Sequence, residues 1–149
     1  MATMAAGLAT AIDQRCLIVL DAYFAVGPVF DILKQVVDAH GQRLIHIVTR
    51  AKSNVVGYDD PPKKTGLRGR PRVYGAKYQL MTLFETRADA FEKAAIELYG
   101  RCKTVSFLCM DLIWKPVGDK IRFVLVVDGN ERFILMCSDL TLSAHDIIR

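Results

Sequence analysis

The chain has 149 residues, 52% hydrophobic and 24% charged, which suits one ordinary core and excludes disorder over most of its length. No apolar run approaches the ~20 residues that a bilayer-spanning helix needs, so no membrane partner is expected. The net charge of +4 is local: Lys63, Lys64, Arg68, Arg70, Arg72 and Lys77 lie between Pro61 and Phe84 with no acid among them, and the remainder is slightly acidic.

The N-terminus lacks the basic start of a secretory signal, so export is not expected. Residues 4–13 are Ala-rich and read as a helix with Gly7 as its weak point. Cys16-Leu17-Ile18-Val19-Leu20 is a short apolar run that reads as a strand buried on both faces. Gly27-Pro28 suits a helix start, and Val29, Phe30, Leu33, Val36 and Val37 follow at helical spacing until Gly41. Leu44 to Val48 reads as a second buried strand. Strand, helix, strand at these lengths predicts a parallel βαβ unit with a right-handed crossover.

Residues 53–77 are rich in Gly, Pro, Asn and Asp and read as a long loop. Tyr78 to Phe84 suits a strand. Thr86 with Asp89 predicts a capping box, opening a helix whose stripe is Ala88, Phe91, Ala95 and Leu98 and which Gly100 closes. Three strands follow, Thr104–Trp114, Ile121–Val127 and Arg132–Cys137, joined by turn sequences at 115–119 and 128–131 into an antiparallel meander. Ser143 and Asp146 form a second capping box. The chain stops one turn later, at Arg149, so the sequence reads as cut within a helix.

Among residues that carry chemistry, Asp21 is the sharpest. A carboxylate just past the C-terminal end of a strand sits where open α/β sheets place their sites, although a turn or capping Asp looks the same in sequence. Asp59, Asp60 and Asp139 join it only if the fold brings them near, and Asp139 also suits a plain strand end. His46 reads as a satisfied core histidine, and His40 and His145 as helix-end residues. No spacing matches a zinc site, and GxSxG, P-loop and GxGxxG motifs are absent. The four cysteines (Cys16, Cys102, Cys109, Cys137) form no CxxC pair and read as buried free thiols of a reducing cytosol. Arg68-Gly69-Arg70-Pro71-Arg72 is similar to an AT-hook, whose extended backbone lays Arg side chains into a narrow minor groove; a basic loop touching DNA phosphates is the simpler reading. Arg50 and Lys52 leave the second strand on the same edge as Asp21.

Four segments together resemble DDE transposases of bacterial insertion sequences. Leu17–Phe24 resembles their strand, Asp, aromatic and helix segment. Ile47–Asn54 looks like the following strand with its Arg-x-Lys exit. Gly69–Lys77 is similar to the basic loop opening the family's β-rich insertion, and Phe133–Leu140 to the strand before the last catalytic helix. The resemblance implies an α/β fold, with a partial ribonuclease-H-like βαβ core over 1–53 and a basic loop over 54–77. A β-rich antiparallel insertion with one helix would span 78–138, and the truncated final helix would begin within 139–149. It implies metal-dependent cleavage and transfer of DNA strands, using three carboxylates that hold two Mg²⁺ or Mn²⁺ ions. Asp21 would be the second carboxylate and a metal ligand, the first lying upstream and the third, a Glu, on the helix that begins near Ser143. A mapping of Asp21 and Asp139 as first and second fits the order less well. Arg50, Lys52, Arg68, Arg70, Arg72 and Lys77 would contact transposon-end DNA. The complete enzyme would act in the bacterial cytoplasm as a dimer on DNA, and this fragment alone would be inactive. A non-catalytic DNA-binding module built on the Arg68–Arg72 loop is the alternative.

Overall fold

The computed structural model describes residues 2–12, 14–63, 70, 72–98 and 100–149. It is a mixed α/β protein with a large, mostly antiparallel open sheet and few helices. The strands are β1 (Cys16–Leu20), β2 (Ile45–Arg50), β3 (Val56–Tyr58), β4 (Lys77–Gln79), β5 (Glu92–Leu98), β6 (Arg101–Trp114), β7 (Asp119–Asp128) and β8 (Glu131–Cys137). They lie in the order β1-β2-β8-β7-β6-β3-β4, with β5 also paired to β6. The helices are α1 (Ala2–Ile12), α2 (Gly27–Lys34), α3 (Leu83–Thr86) and α4 (Ala144–Ile148).

The βαβ expectation holds for its elements and strand direction. β1 and β2 are parallel, with Cys16 opposite Ile45 and Leu20 opposite Thr49, and α2 lies between them in sequence. Its helix is shorter than predicted, ending at Lys34 and not near Gly41. Val36 and Val37 are β-branched and favour extended backbone, and Asp38 offers the chain a competing turn. Its carboxylate accepts from the N–H of His40 and of Gln42, both at 2.8 Å, so His40 lies in a turn and not at a helix end.

The meander β6–β7–β8 is continuous from Ser106 opposite Val127 to Arg122 opposite Cys137. Its last strand pairs with β2, which joins the βαβ unit and the β-rich region in one sheet. Two-sided burial belongs to β7 in particular. Ile121, Phe123 and Leu125 enter a core with Phe30, Leu33, Leu80 and Trp114, and Val124 and Val126 enter a second with Ile96, Ile147 and Ile148. β1, expected to be buried on both faces, is instead an edge strand whose Leu17 and Val19 are 45% and 75% exposed. An apolar run records residue type, and an edge position leaves one of its faces without a layer to cover it.

The largest departure falls on residues 86–100. The capping box does not form, since the Thr86 hydroxyl donates to Thr82 O at 3.0 Å. A short 3-10 turn at Ala88–Ala90 is followed by β5, which pairs with β6 along its whole length from Glu92 opposite Phe107 to Leu98 opposite Arg101. Ile96 is 4% exposed, while its neighbours Ala95 and Glu97 are exposed. That alternation has period two and overrides the helical stripe. Gly100, at φ 71°, occupies the left-handed turn of this hairpin and not a helix end. Tyr78 to Phe84 likewise gives only the three-residue β4 before the chain turns into a 3-10 segment and α3. β3 forms inside the predicted loop.

Candidate functional site

Asp21 follows β1 directly and caps a 3-10 turn, Ala22–Phe24, with Oδ1 accepting the Tyr23 N–H at 2.9 Å. Its carbonyl oxygen accepts the Phe24 N–H at 2.9 Å and the Thr49 hydroxyl at 3.0 Å, which ties the corner to β2. The side chain is exposed. The parallel register that sets Leu20 opposite Thr49 places Asp21 and Arg50 at the same C-terminal edge of the parallel pair. The Arg50 guanidinium lies over the Phe133 ring, 5.1 Å from its centre. Lys52 is exposed, and it lines a cleft of about 280 Å³ with Asn54, Tyr58, Trp114 and Lys115.

The other carboxylates considered beside Asp21 are engaged elsewhere. Asp59 accepts from the Tyr78 hydroxyl at 2.9 Å, and this bond raises the Tyr78 pKa. Asp60 pairs with Lys120 at 2.6 Å and raises the lysine's pKa in turn. Asp139 is 4% exposed and is bonded by Arg15 and by the N–H and hydroxyl of Thr141, at 2.9 and 2.7 Å. Burial disfavours its charge, but the Thr141 bonds and the positive potential of His46 and Arg15 prevail and hold its pKa below the usual range. Asp139 is therefore the fully satisfied strand-end acid. Among the described residues no group of three His, Cys, Asp or Glu side chains is placed to hold a metal ion. Two divalent cations do not fit the described residues, because no group of three ligating side chains forms around Asp21.

His46 departs from its expected role. Its Nδ1 is buried without a hydrogen-bond partner, and burial lowers its pKa. The thiols also differ from expectation. All four are free, but Cys102 and Cys109 are exposed, Cys16 is half-buried, and only Cys137 is buried, which pushes its pKa up to about 11. Period-two alternation in strands assigns inward and outward faces, and composition does not reveal that.

The basic loop springs from the β3–β4 pair, at the far end of the strand order from β1. Its base is pinned. Asp59 N–H donates to Ala76 O and Gly75 N–H to Asp59 O, both at 2.9 Å, and the Tyr58 and Tyr74 rings pack 5.0 Å apart. A side chain at Gly75 would overlap Asp60 O, so the close approach requires glycine. Lys63, Arg70, Arg72 and Lys77 are exposed. Arg68 lies outside the described residues, as do Lys64, Gly69 and Pro71. Sequence reasoning missed the Arg15–Asp139 pair, 124 positions apart, and the place of Lys115 at the cleft; nothing local signals either.

These observations define a class: an α/β protein with an exposed strand-end carboxylate sharing its edge with cations, and a separate pinned basic loop. Comparison with family models, curated proteins and solved structures gives no significant match. No helix among the described residues is long and apolar enough to cross a membrane.

Proposed function

We propose that this chain is part of a DDE-type transposase, binding transposon-end DNA and contributing one carboxylate to a strand-cleavage and transfer site on a ribonuclease-H-like core. The observation that carries the reading is the corner at Asp21. An exposed carboxylate ends the first strand of a parallel βαβ unit, with Arg50 at the same edge and Lys52 two residues on. Cations at that edge suit phosphodiester oxygens, and open α/β sheets bind ligands at this end of their strands. The pinned loop offers a second set of phosphate contacts through Arg70, Arg72, Lys77 and the remaining cations of 61–84. On this reading the two further carboxylates come from segments outside these 149 residues. Mg²⁺ or Mn²⁺ held by the full set would supply the Lewis acidity, while this chain's own part is to position DNA and present Asp21.

Two measurements test it. The 149 residues alone should bind duplex DNA but leave supercoiled DNA intact, since one carboxylate cannot position two cations. Metal-dependent nicking that Asp21→Asn abolishes would contradict the assignment of ligands outside the chain. In a longer protein that supplies them, Asp21→Ala should abolish strand transfer and leave duplex affinity within about twofold. Retained transfer would remove Asp21 from the site and leave a non-catalytic DNA-binding module as the better reading.

A further inference from the structure

β5 pairs with β6 along one edge, and no described strand lies along its other edge. This edge belongs to the interior of the chain and lies across β6, β7 and β8 from the β1–β2 pair. Which backbone groups face it follows from the hairpin. Only two residues separate Leu98 from its partner Arg101, and a hairpin that tight closes on a hydrogen-bonded pair. Bonded and non-bonded pairs alternate along an antiparallel ladder, so Glu92, Ala94, Ile96 and Leu98 direct their N–H and C=O groups to β6. Lys93, Ala95 and Glu97 therefore direct theirs to the open edge. Their side chains are exposed as well, on the face opposite buried Ile96. Neither Lys93 nor Glu97 belongs to an ion pair among the described residues.

We propose that β5 pairs antiparallel with β5 of a second copy of this chain, about a two-fold axis at Ala95. An antiparallel ladder sets outward-bonding residues against outward-bonding residues, which leaves only a few registers. With Ala95 opposite itself, Lys93 faces Glu97 of the second copy and Glu97 faces its Lys93. Each of these pairs exchanges both of its N–H···O=C bonds, and opposite charges meet at both ends. An axis at Ala94 or Ile96 sets Lys93 or Glu97 opposite Ala95 and breaks both ion pairs. An axis at Lys93 or Glu97 sets like charges against each other. The register at Ala95 thus satisfies bonds and charges together, and it centres on the strand Glu92–Leu98. A lysine on an edge strand ordinarily deters pairing. Here it deters every register but one and every strand without a matching acid, so charge selects a second copy of this chain over an unrelated strand. The isologous symmetry is that of most soluble homodimers. The inference goes beyond the transposase reading and needs neither DNA nor metal, so either can fail alone.

The test is the mass of the full 149-residue chain in solution without DNA, by light scattering over a concentration series, with amide exchange read at β5. A dimer is expected, with the Lys93, Ala95 and Glu97 amides protected. Glu97→Lys sets like charges opposite each other at both ends and should raise the dissociation constant at least about tenfold, most at low salt. The double variant Lys93→Glu with Glu97→Lys exchanges the charges and should return the constant to within about threefold of wild type. Both side chains are exposed, so the fold tolerates either variant. A chain that stays monomeric with freely exchanging β5 amides overturns the proposal. A dimer indifferent to Glu97→Lys, or one that the double variant fails to restore, overturns it too. Protection of those amides in a monomeric chain would give the edge to another segment and overturn it equally.

Discussion

At the residue scale, buried polar groups decide stability, and two of them differ in whether their hydrogen bonds are satisfied. Asp139 is fully hydrogen-bonded, with a depressed pKa, so its contribution is complete above the unfolded value and is lost as pH falls through the folded one. Asp139→Ala removes an acceptor shared by Arg15 and Thr141 and should cost about 2–3 kcal/mol at pH 7, measured by urea unfolding. His46 also loses stability on acidification, but its unpaired buried nitrogen is a cost at neutral pH. Its folded pKa lies below the model value of 6.5, so the unfolded chain takes up the proton first. Stability is therefore whole above about pH 6.5 and declines as pH falls through that value toward the folded pKa. His46→Leu should abolish this acid-side slope, leave the lower-pH loss due to Asp139, and stabilise the protein by about 1 kcal/mol through removal of an unpaired buried nitrogen. A variant less stable than wild type at pH 7, or one that keeps the slope, would contradict this account.

At the element scale, β5 gives the clearest test of what decides its structure. A helix over 86–100 would bury Ala95 and leave Ile96 in solvent, whereas the strand buries Ile96 against Val105, Val124 and Ile147. Ile96→Ala should therefore cost about 2–4 kcal/mol, and Ala95→Lys should stay within about 0.5 kcal/mol. The reverse order would restore the helix. The elements legible in sequence share one property: their pattern has a single solution. Cys16–Leu20 and the β7–β8 hairpin through Gly129-Asn130 are short apolar runs between clear punctuation, and Ser143 forms the predicted box, accepting the Asp146 N–H at 3.2 Å. Residues 86–100 satisfy both a helical stripe and a two-residue alternation, and pairing with the long β6 decides between them. Burial was legible for β2 and not for β1, because the edge of a sheet is set by which strands pair, a non-local outcome. The candidate site divides in the same way. Asp21, Arg50 and Lys52 were readable because parallel strands end together, whereas the engagement of Asp59, Asp60 and Asp139 depends on partners far along the chain.

At the scale of the whole molecule, charge is distributed unevenly along one continuous sheet. The β1–β2 end offers Asp21 with two cations, and the β3–β4 end carries a loop region with six cations and no acid between Pro61 and Phe84. Asp59 and Asp60, the acids just before this stretch, are held by Tyr78 and Lys120, and Glu85 just after it by Arg132. Duplex binding by such a loop releases counterions, so log affinity should fall against log salt with a slope of ~0.9 per phosphate contact. Replacing Arg68, Arg70 and Arg72 with Ala should weaken binding and flatten that slope by up to about three contacts' worth. Thermal stability should change little, since the pinned base of the loop, at Asp59, Gly75 and Ala76, is untouched. The triple variant also separates two modes of contact. Insertion into a narrow minor groove would cost more affinity on A·T-rich than on G·C-rich duplex and would yield to a minor-groove competitor. Phosphate contact alone would cost the same on both. Titrating wild type and variant on the two duplexes at several salt concentrations reads all of this at once. Unchanged affinity and slope on both duplexes would reduce the loop to a solvated surface and leave DNA binding to the Asp21 edge, where Arg50→Ala and Lys52→Ala would then have to carry the full loss.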